Sequence, residues 1–216
     1  MSIAFLSPAT AGDTAVARSP MERKAKAAGA RFENRDGWNV AVEYPGEDRV
    51  RETVGFTDVS HLRKLEIQGD EVPGELGEAK REGDAWICQL TPRRALLLGG
   101  VHAVPVDAVD VTTCFAALTI FGPLAREVIA RFCALDLRPQ VAPPGSFRPG
   151  SIARQPGMIL VQDTDRFLLL FGWAVGEYVW TVVEDAARSL DGGPVGSGAG
   201  PPLDGGPVGS QGARNA

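Results

Sequence analysis

Residues 54–69 read VGFTDVSHLRKLEIQG and gather Asp58, Ser60 and His61 within four positions. A carboxylate, a hydroxyl and an imidazole are the groups of a nucleophilic triad. There the imidazole takes the hydroxyl proton and the carboxylate holds the imidazole. The spacing here argues against that use. On a strand, neighbouring side chains point to opposite faces, so Ser60 and His61 diverge. Asp58, three residues before His61, is badly placed to reach the far ring nitrogen. The residues read instead as a turn into a strand, where Asp58 and Ser60 bond local backbone amides.

Other chemistries find less support. No Gly-rich turn stands between a strand and a helix, and GSGAG near the C-terminus has neither element around it, so no nucleotide site is expected. Cys88, Cys114 and Cys133 are odd in number, widely spaced and without a CxxC pair, which speaks against a disulfide framework or a zinc site. The two histidines, His61 and His102, are too few for a His-rich metal cluster. With a formal charge of -5 and no basic stripe, nucleic acid is not an expected partner. Arg23-Lys24-Lys26 reads as a solvated helix face and Arg93-Arg94 as plain surface ahead of a strand. The four tryptophans recur at strand or helix period and read as core.

These residues need elements to position them. Ser19, Pro20 and Glu22 predict a capping box opening a short helix that Gly29 stops. Asp36-Gly37 predicts a hairpin turn, with Trp38, Val40, Val42 and Tyr44 on one face. A helical turn over 47–53 leads into the opening motif. KLEIQ places Leu65 and Ile67 inward and Lys64, Glu66 and Gln68 outward. The stretch 70–84 reads as loop, and strands follow at 85–90 and 94–98. The second half predicts a strand at 114–121, a helix begun by Gly122-Pro123, strands at 151–161 and 166–171, and a helix at 174–188. That last helix is expected to stack Tyr178, Val179, Val182, Val183 and Ala186.

Strand–helix–strand–strand–helix is the order of a split βαβ, ferredoxin-like unit. The expected fold is α+β in two lobes. A flexible N-terminus covers 1–18, an N-terminal α+β lobe 19–100 and a ferredoxin-like lobe 101–189. LDGGPVGS occurs at 190–197 and again at 203–210, so 190–216 is expected to be a disordered Gly/Pro-rich tail. The first residues lack a basic n-region, and no apolar run approaches the ~20 residues of a membrane span, which predicts a cytoplasmic protein.

VGFTDVSHLRKLEIQG resembles the N-terminal signature of the glycine-cleavage T-protein (aminomethyltransferase) superfamily, where a helix leads into a GLFDVSHMGK turn and strand. VDVTTCFAALTIFGPLAREVIARFC, followed by LDL, is similar to the ALxGPxAREVL strand and helix of the same superfamily. ALDLRPQVAPPGS and FLLLFGWAVGEYVWTVVEDA look most like the gamma-subunit family of heterotetrameric sarcosine oxidases. The resemblance runs over about 31–189 and implies a two-lobed T-protein-like fold.

It also implies an accessory, non-catalytic subunit of an oxidoreductase complex. Larger flavoprotein subunits would carry the flavin that demethylates sarcosine or a related N-methyl amine, and the one-carbon unit would pass to tetrahydrofolate. Asp58, Ser60 and His61 would belong to the folate-side, cofactor-binding motif. The paired aspartates of the T-protein, its GYTGE motif and the KGCYxGQ motif of another branch have no counterpart here, and Trp173 stands where the gamma family has an arginine. The last helix, with Trp180 beside its apolar stripe, is the expected partner-facing element. A stand-alone tetrahydrofolate-dependent aminomethyl or methyl transferase and a folate-binding regulator stay open as alternatives.

Overall fold

The computed structural model describes residues 16–50, 52–70, 72, 74–100 and 108–197. The chain opens with β1 (Ala17–Arg18) and α1 (Glu22–Ala27). The capping box does not form: the Ser19 hydroxyl accepts from the Met21 N–H at 3.0 Å, while Glu22 turns its carboxylate to Arg18, Lys26 and Asn39. Gly29, at φ 82°, ends the helix as expected. β2 (Arg31–Arg35) and β3 (Trp38–Glu43) form the predicted hairpin. Asp36 and Gly37 take φ of 50° and 79°, the positive values a two-residue hairpin loop needs.

α2 (Glu47–Val50) leads into β4 (Gly55–Asp58). β5 (Lys64–Gln68), β6 (Ala79–Glu82), β7 (Ala85–Thr91), β8 (Arg94–Gly99) and β9 (Ala108–Asp110) then build a five-stranded sheet in the order β6-β7-β8-β5-β9. β6 lies in the stretch expected to be loop; its sequence, AKRE, is that of a charged edge strand, whose polarity masks the strand signal. The chain continues through β10 (Phe115–Phe121), α3 (Ala125–Ala130), β11 (Phe147–Ile152), β12 (Gln155–Asp163), β13 (Arg166–Gly172), α4 (Gly176–Arg188) and β14 (Gly193–Pro194).

A six-stranded sheet runs β11-β12-β13-β10-β4-β14. β10 and β12 are each antiparallel to β13 between them, so strand, α3 and strand make the expected split βαβ. The place beside β10 is filled by β4, from the first half of the chain. The sheet therefore crosses the boundary expected after residue 100.

Both faces of this sheet are covered, which explains the unbroken run FLLLF. Phe167, Leu169 and Phe171 face α3 and α4, while Leu168 and Leu170 face the five-stranded sheet with Met158, Leu160 and Trp86. Cys88 and Cys133 are buried and Cys114 is exposed. Among the described residues no helix is long and apolar enough to cross a membrane.

Two expectations need correction here. On α4 the buried stripe is Val179, Trp180, Val183 and Ala187, not the stack that included Tyr178 and Val182. Trp180 is 1% exposed and meets the ring of Phe56 edge-on at 5.0 Å, so it is core and not an interface anchor. The helix turns to bury the side chain with the largest apolar area. Tyr178 is left 47% exposed, its hydroxyl donating to the Ala153 carbonyl at 3.0 Å.

Residues 190–197, expected to begin a disordered tail, also belong to the folded body. β14 pairs in parallel with β4, and Val195 is fully buried. Ladder bonds and one buried aliphatic side chain offset the ordering cost that the composition alone suggested would prevail. The remainder of that expected tail, the first fifteen residues and His102 lie outside the described residues.

Candidate functional site

The opening motif is where the chain leaves one sheet for the other. β4 ends at Asp58, Val59 plugs the layer between the sheets, and β5 starts at Lys64 in the five-stranded sheet. So tight a crossing aims backbone carbonyls inward, where each needs a donor. Lys64 supplies them. Its side chain is fully buried, and Nζ donates to the carbonyls of Ser60 (2.9 Å), Leu62 (2.8 Å) and Thr112 (3.4 Å). Its backbone N–H donates to Thr112 Oγ1 at 3.0 Å.

Asp58 Oδ1 accepts from the Ser60 N–H at 2.9 Å, and Ser60 Oγ accepts from the Ala117 N–H at 3.1 Å. Ser60 is thus engaged by Asp58 and the β10 backbone. Asp58 holds a local amide, as its spacing suggested, whereas the Ser60 hydroxyl reaches an amide of β10 where a local one was expected, and the two together brace the turn against the sheet.

Burial dominates the electrostatics. It pushes the Asp58 carboxyl above its ordinary value, against hydrogen bonds from Ser19 and Ser60 and the charge of Lys64. Lys64 is lowered to about 8 by burial, opposed by Asp58 and Asp110. His61 is lowered to about 4 by burial and by the charges of Lys64 and Arg35, so its imidazole is neutral at pH 7. KLEIQ is therefore not a strand with a wet polar face. Lys64 is inside, and Glu66 is nearly buried beneath Arg94, whose guanidinium donates to both carboxylate oxygens at 2.9 and 2.8 Å.

Two spaces border His61. One, beside Asp58, Trp38 and Asn39, has about 10 Å3, room for no more than one water. The other is an open cleft of about 340 Å3. Arg35, His61 and Gln162 give it polar walls, and Trp86, Leu98 and Leu168 apolar ones. Asp84 also lines it and is engaged by another group. Of the three motif residues only His61 reaches this cleft; Asp58 lines the smaller space, and neither space is lined by Ser60. Lys64, Arg35 and Gln162 were not singled out by the sequence reading. A lysine four positions beyond a Ser turn, able to reach back to its carbonyls, is the one signal that could have marked Lys64 as inward.

Two results are expected. Lys64→Met strands three inward carbonyls and should lower stability by about 2–3 kcal/mol, read from urea midpoints at pH 7. For His61, the folded value lies below the unfolded value of about 6.5. Its contribution is present above pH 6.5 and is lost as the pH falls towards 4, by roughly 2–3 kcal/mol in all. His61→Gln should flatten the difference in midpoint between pH 7 and pH 4.5; Asp58 titrates in both proteins and cancels. An unchanged slope would place the imidazole in solvent.

No family model matches the chain. An aminomethyltransferase of Deinococcus deserti is 34% identical over 87 residues, which cover 38% of this chain and 24% of that protein. One from Picosynechococcus sp. is 40% identical over 57 residues, 24% of this chain and 16% of the relative. The matches thus span a quarter or less of these curated relatives.

Among solved structures, a chain of the heterotetrameric sarcosine oxidase of Corynebacterium sp. U-96, in complex with pyrrole 2-carboxylate, superposes with a TM-score of 0.61 at 19% identity. The match covers 83% of this chain and 98% of that one. The glycine cleavage system aminomethyltransferase T of Bartonella henselae superposes with a TM-score of 0.66 at 15% identity, covering 85% of this chain and 60% of that one. The chain has the α+β fold shared by these two proteins.

Proposed function

We propose, from a chain with the T-protein superfamily fold, that it is an accessory, gamma-type subunit of a sarcosine-oxidase-like complex and is itself non-catalytic. The observation that carries this is one of extent. The match takes in 98% of a chain of a heterotetrameric sarcosine oxidase but only 60% of a T-protein. The internal use of Asp58, Ser60 and Lys64 supports it, since groups bracing a turn are not available to a substrate. On this reading a flavin on larger partner subunits oxidises an N-methyl amine, and tetrahydrofolate takes up the one-carbon unit. This chain supplies a docking body in the cytoplasm.

With Trp180 in the core, the partner surface lies elsewhere. Leu76 and Val141 are 62% and 41% exposed, and Arg148 ties their segments together through the carbonyls of Gly77 and Val141. An exposed apolar pair fixed on a rigid support suits a partner contact.

One observation favours a second reading, in which the chain binds a folate itself. The cleft beside His61 has the volume of a small-ligand site and a mixed lining suited to a pterin-sized ring, with Arg35 and Gln162 as polar contacts and Trp86 as an apolar wall. Bound there, tetrahydrofolate would act as one-carbon acceptor.

Titrating the isolated chain with tetrahydrofolate and assaying aminomethyl transfer separates the readings. The accessory-subunit reading expects no bound flavin and no transfer by this chain alone. Transfer by the isolated chain that Gln162→Ala, at the cleft wall, abolishes would overturn it in favour of the second.

A further inference from the structure

The groove along β4 seats a segment of defined sequence, and the chain carries that sequence twice. We infer that residues 203–210 exchange with residues 190–197 in this groove, within one chain.

The groove makes separate demands on its occupant. Asp191 holds φ 56°, a left-handed value that asparagine, aspartate and glycine tolerate best. At Gly192 a Cβ would stand 2.4 Å from Val54 Cγ1, and at Gly196 2.0 Å from the Val42 carbonyl oxygen, so both must be glycine. Val195 is fully buried; its N–H donates to the Phe56 carbonyl at 2.9 Å and its carbonyl accepts from Thr57 Oγ1 at 2.9 Å. The Gly196 N–H donates to Glu47 Oε2 at 2.8 Å and the Ser197 N–H to the Ala41 carbonyl at 3.1 Å. Ser197 Oγ accepts from Arg35 Nη1 at 3.3 Å, at the rim of the cleft beside His61.

An unrelated Gly/Pro-rich segment would fail at one of these positions. Leu203–Ser210 meets every one, with Asp204, Gly205, Val208, Gly209 and Ser210 in the corresponding places. The copies are offset by thirteen residues, so seating the second loops out 190–202 beyond the end of α4. Closing such a loop disfavours the exchanged form by roughly fifty-fold, from the three-halves power of its length. The first copy therefore dominates, and the second stands in reserve with the same contacts.

The test compares the full chain with Val195→Asp, Val208→Asp and the double variant, by urea unfolding and hydrogen exchange. Val208→Asp should match the parent. Val195→Asp should lower the folding constant by about fifty-fold and no further. The slow-exchanging amide should move from position 195 to Val208. The double variant should fall to the level of a chain ended at Ser189. A Val195→Asp chain as unstable as the double variant, or one with no protected amide in 203–210, would overturn the inference. So would a Val195→Asp dimer on a sizing column, since the second copy would then be seated between chains.

Discussion

Ending the chain at Ser189 is expected to lower stability by about 4–6 kcal/mol, although it removes only a Gly/Pro-rich segment. The fully buried Val195 side chain accounts for roughly 1.5–3 kcal/mol of this. Its loss also uncovers Val54 and Phe56, both fully buried in the intact fold. The Phe56 carbonyl, the Thr57 hydroxyl and Glu47 each lose a partner from the segment, at about 1 kcal/mol apiece. For a chain of this size the melting temperature should fall by roughly 10–20 °C. A truncated protein that melts with the full chain would show that β14 contributes nothing and that the composition-based reading of 190–216 was right throughout.

Trp180→Ala is the second large effect, about 3–5 kcal/mol, the usual cost of removing a large aromatic side chain from a core. The indole packs with its ring centroid 5.0 Å from that of Phe56 in the central sheet and 6.5 Å from that of Tyr44, so the cavity would open where α4, the β4 strand and the segment after β3 meet. Neighbours held by two sheets and a helix cannot collapse far into it. Circular dichroism melting of the variant should show the loss directly. Tyr178→Ala, on the exposed side of the same helix, should cost about 1 kcal/mol, chiefly the bond to the Ala153 carbonyl. If the two variants melt alike, the rotation of α4 described above is wrong.

Much of the fold was legible where short-range physics decides it. The Asp36-Gly37 turn, the Gly29 stop and the split βαβ order depend on local conformation and period. What was not legible depends on partners far along the chain. Lys64 looked like a solvent residue because strand alternation says nothing of the carbonyls of Ser60, Leu62 and Thr112 that it must satisfy. Residues 190–197 looked unstructured because their partner, the free edge of β4, lies some 140 positions earlier, as the Gly55–Gly193 register shows. At the candidate site, the local bond of Asp58 to the Ser60 amide followed from their spacing, but the bond of the Ser60 hydroxyl to the Ala117 amide, 57 positions on, did not. The cleft beside His61 did not, since its walls come from Arg35, Trp86 and Gln162 on three separate strands or connections.

The central claim is that this chain serves a flavin-bearing partner and does no chemistry alone. The most direct measurement is to isolate the tagged full chain from its native host and assay the recovered material, by mass and by absorbance, for N-methyl amine oxidation. The account predicts a stable complex in which a larger polypeptide carries the flavin, and amine oxidation that follows that complex through a sizing column. Recovery of this chain alone, with tetrahydrofolate-dependent transfer in the same fractions, would contradict it.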